Sequence, residues 1–203
     1  MRRLFVNQCI MMNLCLAIIV LGGCTSTSPT RFYTLNPLVN PDETWQSSGK
    51  NDRVLGIGPV TLSAYLDRPQ IVTGVSENEY AISEFDRWAG NLRDNISFVL
   101  AENISHLLGT DEVYVYPWKQ TITVDFQVEV NVIRFHGTSD GTVLLSARWS
   151  VSEDDGKKAL LFRLSNYQEP VHGKGYDALV SAKSRILANF SSDIADAIIS
   201  ETP

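Results

Sequence analysis

The stretch TITVDFQVEVNV, residues 121–132, carries the strictest alternation of apolar and polar residues in the chain. Every second side chain is apolar, which predicts a strand with one buried face and one wet face. The buried set is Ile122, Val124, Phe126, Val128, Val130 and Val132. The alternation shifts phase at Val132-Ile133 and continues through Phe135, which predicts a β-bulge.

Further strands are predicted on both sides of this stretch. After it, a turn at Ser139-Asp140-Gly141 leads to a return strand, and a second turn at 153–158 leads to a third strand. Gly and Pro inside the segment 54–62 indicate an edge strand or a bulge. Ser76-Glu77-Asn78 forms the tip of a predicted hairpin. The predicted strands are 31–35, 54–62, 70–75, 79–85, 113–118, 143–151 and 160–164.

In two segments the apolar residues recur every three or four positions, which is the spacing of one face of a helix. The first is predicted over 88–108 and is followed by Gly109, a natural residue to end a helix. The second begins near Tyr176 and continues close to the C-terminus. The order strands, helix, strands, helix predicts an α+β fold: a mostly antiparallel or mixed sheet with two long helices packed on one face. Residues 31–203 are predicted to form this single domain.

The N-terminal segment is typical of a bacterial lipoprotein. Arg2 and Arg3 precede an apolar run that ends at Leu21-Gly22-Gly23-Cys24, which resembles a lipobox. We expect residues 1–23 to be a signal peptide that is cleaved before Cys24. Cys24 is the predicted lipid attachment site, where the thiol receives a diacylglyceryl group and the new amino group an acyl chain such as palmitate. Residues 24–30 form the lipidated tether, rich in Ser and Thr.

Composition narrows the classes of partner. Loss of Arg2 and Arg3 from 17 basic residues, with all 23 acidic residues kept, takes the net charge from −6 to about −8. An acidic domain is a poor ligand for nucleic acid, so no nucleic-acid partner is expected. Cys9 and Cys15 leave with the signal peptide and Cys24 is alkylated, so the mature chain has no disulfide.

The sequence contains no recognisable catalytic motif. His106, His136 and His172 are isolated from one another and from Cys, Asp or Glu at ligand spacing, so no metal site is predicted. There is no G-x-S-x-G elbow and no H-E-x-x-H helix. Gly173-Lys174-Gly175 lacks the spacing of a phosphate loop. We therefore predict that the protein is not an enzyme and holds no cofactor.

Two polar or aromatic segments are candidate contacts with a partner or a second copy. The turn Asp67-Arg68-Pro69 is either a solvated turn with a local ion pair or a contact loop. Tyr116 and Trp118 flank Pro117 and are either exposed aromatics at a sheet end or core residues. Trp88, at the predicted helix start, is interpreted as a core residue.

These segments together resemble the PqiC-like (YmbA-type) family of ABC-transport auxiliary lipoproteins. The resemblance covers nearly all of the mature chain, and it departs from the family only at Gly90-Asn91, the helix start. Its motifs follow Cys24 in order: 31–35, 66–72, Arg87-Trp88-Ala89, 99–103, Pro117-Trp118, Arg134-Phe135 and Ala147-Arg148-Trp149.

The resemblance implies an outer-membrane lipoprotein that acts as a docking or adaptor subunit of an intermembrane phospholipid transport system and maintains envelope integrity. Its expected partners are an MCE-domain periplasmic tunnel protein, that protein's membrane transporter, and further copies of this chain in a ring. Thr25 after Cys24, where an Asp would retain a lipoprotein in the inner membrane, favours the periplasmic face of the outer membrane. The alternative is a periplasmic lipid carrier with its own cavity, which would need an apolar pocket of several hundred Å³.

Overall fold

The structure, a computed structural model, describes residues 28–37, 53–154 and 156–201. The predicted signal peptide and Cys24 lie outside the described residues. The elements, in chain order, are β1 (Arg31–Tyr33), β2 (Leu55–Leu62), β3 (Gln70–Gly74), β4 (Tyr80–Trp88), α1 (Leu92–Leu108), β5 (Val113–Val115), β6 (Phe126–Gly137), β7 (Thr142–Glu153), β8 (Lys158–Pro170) and α2 (Gly175–Ser200).

The strand predicted from the alternating stretch is β6, but it begins only at Phe126, so Ile122 and Val124 precede the strand. β6 is the centre of an eight-stranded mixed sheet. One edge of β6 pairs in parallel with β2 and, at Gly137, with β3. Its other edge pairs antiparallel with β7, which pairs antiparallel with β8. Beyond β2 lies β5, and beyond β3 lie β4 and then β1. The predicted α+β class is confirmed.

Both helices cover one face of this sheet. Helix α1 packs on β2 and β5, helix α2 packs on β6 to β8, and the helices contact each other. The apolar half of β6 points into this layer, as the alternation predicted, with Val128, Val130 and Val132 all buried. A polar bridge crosses the helix interface, where Asn103 Nδ2 donates to Ser191 Oγ at 3.2 Å. The side of β6 that faces the helices is therefore committed to the core.

The start of the first helix differs from the prediction. Trp88 is the last residue of β4, and α1 begins at Leu92. Asn91 caps the helix, because its side-chain oxygen accepts a 2.9 Å hydrogen bond from the backbone N–H of Arg93. Trp88 is nevertheless buried, so its assignment to the core is confirmed. The other end was predicted correctly, with Gly109 in the left-handed region at φ 63°.

Two irregularities in the sheet match the sequence. The pairing of β6 with β7 shifts register between Val132 and Arg134, which confirms the predicted bulge. The pairing of β2 with β6 shifts between Ile57 and Val60, so Gly58 and Pro59 mark a bulge. Because β2 lies between β5 and β6, the alternative of an edge strand is wrong.

Candidate functional site

The face of the sheet opposite the helices, here called the outer face, carries the polar half of β6. Cross-strand partners share a face, so the register extends this surface across β7 and β8. Asn131 lies opposite Arg148, and Arg148 opposite Leu164. One step along, Glu129 lies opposite Ser150, and Ser150 opposite Phe162. The outer face is therefore polar in the middle and becomes apolar at β8.

Phe162 and Leu164 are unusually exposed for large apolar residues. The exposed fraction is 77% for Phe162 and 55% for Leu164. They border an open cleft of about 490 Å³ that also includes Pro59 and Thr61 of β2. Single exposed apolar residues are common, but a group around a cleft is typical of a contact surface.

The aromatic pair Tyr116 and Trp118 lies on the same outer face. The Trp118 ring covers Gly56, where a Cβ atom would lie 2.6 Å from Trp118 Cη2. Gly56 is opposite Gln127, a residue of the polar half of β6. The rings of Tyr116 and Trp118 meet edge to face with centroids 5.5 Å apart. Tyr116 is exposed and Trp118 half-buried, so both candidates remain available at the surface.

The turn Asp67-Arg68-Pro69 packs elsewhere, against the start of α1. Asp67 Oδ2 accepts a 2.6 Å charged hydrogen bond from Arg93 Nη2. The carboxylate of the turn therefore pairs with Arg93 of α1, and not with Arg68 of the same turn. A shallow cleft of about 310 Å³ separates the turn from Gly90-Asn91-Leu92. Tyr116 and Trp118 instead lie against Gly58 and Gly56 of β2, so the two candidate segments occupy different parts of the domain.

The three histidines lie on different parts of the fold: His106 on α1, His136 on β6, and His172 between β8 and α2. His136 is buried, with its Nδ1 3.1 Å from the Tyr65 hydroxyl and its ring edge-on to Tyr80. Burial, reinforced by the positive charges of Lys183 and Arg134, lowers the pKa of His136 to about 4. Among the described residues, no group of three or more His, Cys, Asp and Glu is placed to hold a metal ion.

Lys183 of α2 is an unusual residue that was not predicted from the sequence. It is fully buried, and its Nζ donates a 2.6 Å hydrogen bond to the Phe135 carbonyl. The ammonium also lies 4.3 Å from the centroid of the Phe135 ring and 5.3 Å from that of Trp88. Burial lowers its pKa to about 7. Lys183 follows Leu179 by four residues and so falls on the apolar stripe of the helix. This spacing is the sequence feature that could have indicated its burial.

Comparison with known proteins supports one family. Residues 33–195 match the family described as ABC-type transport auxiliary lipoprotein component. Two curated relatives, each called intermembrane transport lipoprotein PqiC, come from Escherichia coli (strain K12) and Shigella flexneri. Each is 26% identical over 183 residues, which is 90% of this chain and 94% of the relative.

Solved structures show the same fold. A crystal structure of an uncharacterised protein has a TM-score of 0.70 and 23% identity, and covers 84% of this chain and 99% of its own. A protein from Xanthomonas campestris has a TM-score of 0.68 and 13% identity, and covers 84% of this chain and 96% of its own. In the parts of the chain that the structure describes, no helix is long and apolar enough to cross a membrane.

Proposed function

Because the chain belongs to the family of ABC-type transport auxiliary lipoprotein components, we propose that it is the lipid-anchored docking subunit of an MCE-type intermembrane phospholipid transport system. In this proposal it stands on the periplasmic face of the outer membrane. It receives the periplasmic end of an MCE-domain tunnel protein, and it assembles as a ring of identical copies. The observation that carries the proposal is the similarity to intermembrane transport lipoproteins along 90% of the chain.

The proposed anchor is Cys24. It follows Leu21-Gly22-Gly23, and the tether of six residues before Arg31 reaches at most ~20 Å. The domain would therefore remain close to its bilayer. Thr25 in place of Asp supports sorting to the outer membrane.

The proposed docking surface is the outer face. Phe162, Leu164 and Tyr116 expose apolar area there, and the sheet places Arg148 and Glu129 between them. Aromatic anchors next to a few charged groups are the composition of protein interfaces. The turn Asp67-Arg68-Pro69 is proposed as a second contact, toward the neighbouring copy in the ring.

The packed interior of the domain favours a docking role over that of a lipid carrier. The space between helices and sheet is filled by large side chains that are fully buried, including Phe135, Ile186 and Phe190. A lipid carrier needs apolar volume left open for acyl chains. The clefts described above lie on the surface instead.

Photo-crosslinking in living cells tests the docking proposal. A photoreactive amino acid replaces Phe162 in the full-length protein, and a matched variant carries it at Phe98, an exposed position on α1. The expected result is a crosslink from position 162 to an MCE-domain protein, identified by mass spectrometry, with far less from position 98. Crosslinks from position 162 only to proteins without MCE domains would contradict the proposal.

The anchor is tested separately. Intact-mass analysis of the purified mature protein should show a triacylated N-terminal Cys24, and Cys24→Ser should leave an uncleaved precursor. Fractionation should find the wild type with the outer membrane. An unmodified Cys24 refutes the anchor, and recovery with the inner membrane refutes the proposed location.

A further inference from the structure

We propose that the β3–β4 hairpin and the neighbouring strand β1 carry a membrane-contact patch that rests on the bilayer. The patch consists of Phe32, Val75, Tyr80 and Ile82. The inference depends on the lipid anchor at Cys24 from the proposed function. It goes beyond that anchor because it assigns a surface of the folded domain to the lipid headgroup region.

All four side chains are exposed although each is large and apolar. The exposed fraction is 65% for Phe32, 45% for Val75, 41% for Tyr80 and 49% for Ile82. Tyr80 and Ile82 are two residues apart on β4, so they project from the same face of the hairpin. Phe32 lies in the strand next to β4, opposite Arg87. Four of the nine large apolar residues exposed in the described chain are thus gathered on the hairpin and its neighbour.

The direction of β1 places the tether on the side of this hairpin. β1 is parallel to β4 and begins with Arg31 opposite Asp86. The chain therefore reaches Arg31 from the direction in which β4 begins, which is the hairpin end. Ile82 precedes Asp86 by four residues, at most ~13 Å along the strand. The tether, with a reach of at most ~20 Å, ties the bilayer to this same end of the domain.

A cluster of hydrogen bonds fixes the point where the tether leaves the domain. The buried Asp86 carboxylate accepts hydrogen bonds from Arg31 Nε at 2.9 Å, from the Tyr33 hydroxyl at 3.1 Å and from Ser83 Oγ at 2.8 Å. These contacts hold β1 against β4. A bilayer bound through Cys24 therefore meets the domain from a defined side.

The chemistry of the patch suits a phospholipid surface without net charge. Tyr80 combines an apolar ring with a hydroxyl, the combination that is enriched where membrane meets water. Glu77 and Glu79 at the hairpin tip offset the exposed Arg31 beside Phe32 and Arg134, which borders the same cleft as Tyr80, so these groups provide no excess of positive charge to attract anionic lipid. Burial of the apolar side chains therefore drives the contact. This contact needs no charged lipid, so a bilayer of zwitterionic phospholipids is sufficient.

Depth-dependent fluorescence quenching in vesicles tests the patch. The full-length lipoprotein is purified from membranes and reconstituted into phosphatidylcholine vesicles that contain a lipid with a shallow doxyl quencher. The alkylated Cys24 does not react with thiol probes, so Ile82→Cys provides the single labelling site for an environment-sensitive dye. Phe98→Cys, on the exposed side of α1, is the matched control, and Phe32→Cys is a second test position.

The expected result is a blue shift and strong loss of emission to the lipid quencher for labels at 82 and 32, and neither for the label at 98. Equal, weak quenching at 82 and 98 would overturn the patch. Protection of position 82 from aqueous iodide without lipid quenching would also overturn it, because a second protein surface would then cover the hairpin. Intact mass of the same sample separates the hypotheses: unmodified Cys24 refutes anchor and patch together, whereas acylated Cys24 without lipid quenching refutes the patch alone.

Discussion

The two faces of β6 are made from one strand and have opposite roles. On the helix side, Val128, Val130 and Val132 are buried under α1 and α2. On the outer side, Glu129 and Asn131 are exposed and lead across β7 to the exposed Phe162 and Leu164. Substitutions on the first face should change stability, and substitutions on the second should change association. The predictions for Phe190 and for Phe162 with Leu164 test this separation directly, and the others test contacts elsewhere in the domain.

The largest loss is expected for Phe190→Ala. Phe190 is fully buried, with its ring centroid 5.9 Å from that of Trp149 and 5.7 Å from that of Tyr167. Truncating a buried Phe costs about 3–5 kcal/mol because a cavity remains. Urea unfolding measures the change, with the exposed Phe98→Ala as control. A loss below about 1 kcal/mol would mean that the helical layer is not the core.

Lys183→Met should stabilise the domain at neutral pH by about 1–4 kcal/mol, since it removes a buried cation for which the described residues supply a carbonyl and two rings but no carboxylate. The pKa of Lys183 is about 7 in the folded state and 10.5 in the unfolded chain. Between these values the unfolded chain binds more protons, so wild-type stability rises with pH from about 7 to about 10. The Met variant should lack this rise. Parallel pH profiles for both proteins would contradict the assignment.

Asp86→Ala should cost about 1–3 kcal/mol, because the donors of Tyr33 and Ser83 lose their acceptor. The effect should be concentrated at β1, where hydrogen exchange of the backbone amides should accelerate. Glu84→Ala, an exposed carboxylate on the same strand, is the matched control. Unchanged exchange in β1 would show that the carboxylate does not hold this strand.

A smaller change is expected for the double variant Asp67→Lys with Arg68→Glu. The Asp67–Arg93 pair is partly exposed, and such pairs contribute ~0–1 kcal/mol. If the turn contacts a neighbouring copy, the oligomer measured by light scattering should dissociate while the melting temperature changes little. An unchanged oligomer with an unchanged melting temperature would remove the turn from the interface.

The periodic segments were predictable because burial imposes a period. Alternation located β6 from Phe126 onward, its bulge and β7, but not the start of β6, because Ile122 and Val124 continue the alternation ahead of the strand. The spacing of three and four located α2. The start of α1 was not predictable, because Trp88 precedes Leu92 by four residues and therefore continues the helical spacing of apolar residues. In the structure Trp88 closes β4, and the cap at Asn91 decides where the helix begins.

The outer face could be predicted only in part. Tyr116 and Trp118 were named from composition, but their position over Gly56 and Gly58 depends on the pairing of β2 with β5. Residues 160–164 form a nearly continuous apolar run, so the sequence does not say which side chains face water. Pairing with β7 decides it and turns Phe162 and Leu164 outward. Lys183 was missed because a charge within an apolar stripe is usually assumed to reach solvent.

The most direct test of the outer face as a docking surface is partner capture by the double variant Phe162→Asp with Leu164→Asp. Both side chains are exposed, so stability should change by less than about 0.5 kcal/mol per substitution. The control carries Phe98→Asp and Ile199→Asp, two exposed positions on the helices. We expect a folded variant that no longer captures an MCE-domain protein from membrane extracts, while the helix control captures it as the wild type does. Wild-type capture by the folded outer-face variant would contradict the docking role of the outer face.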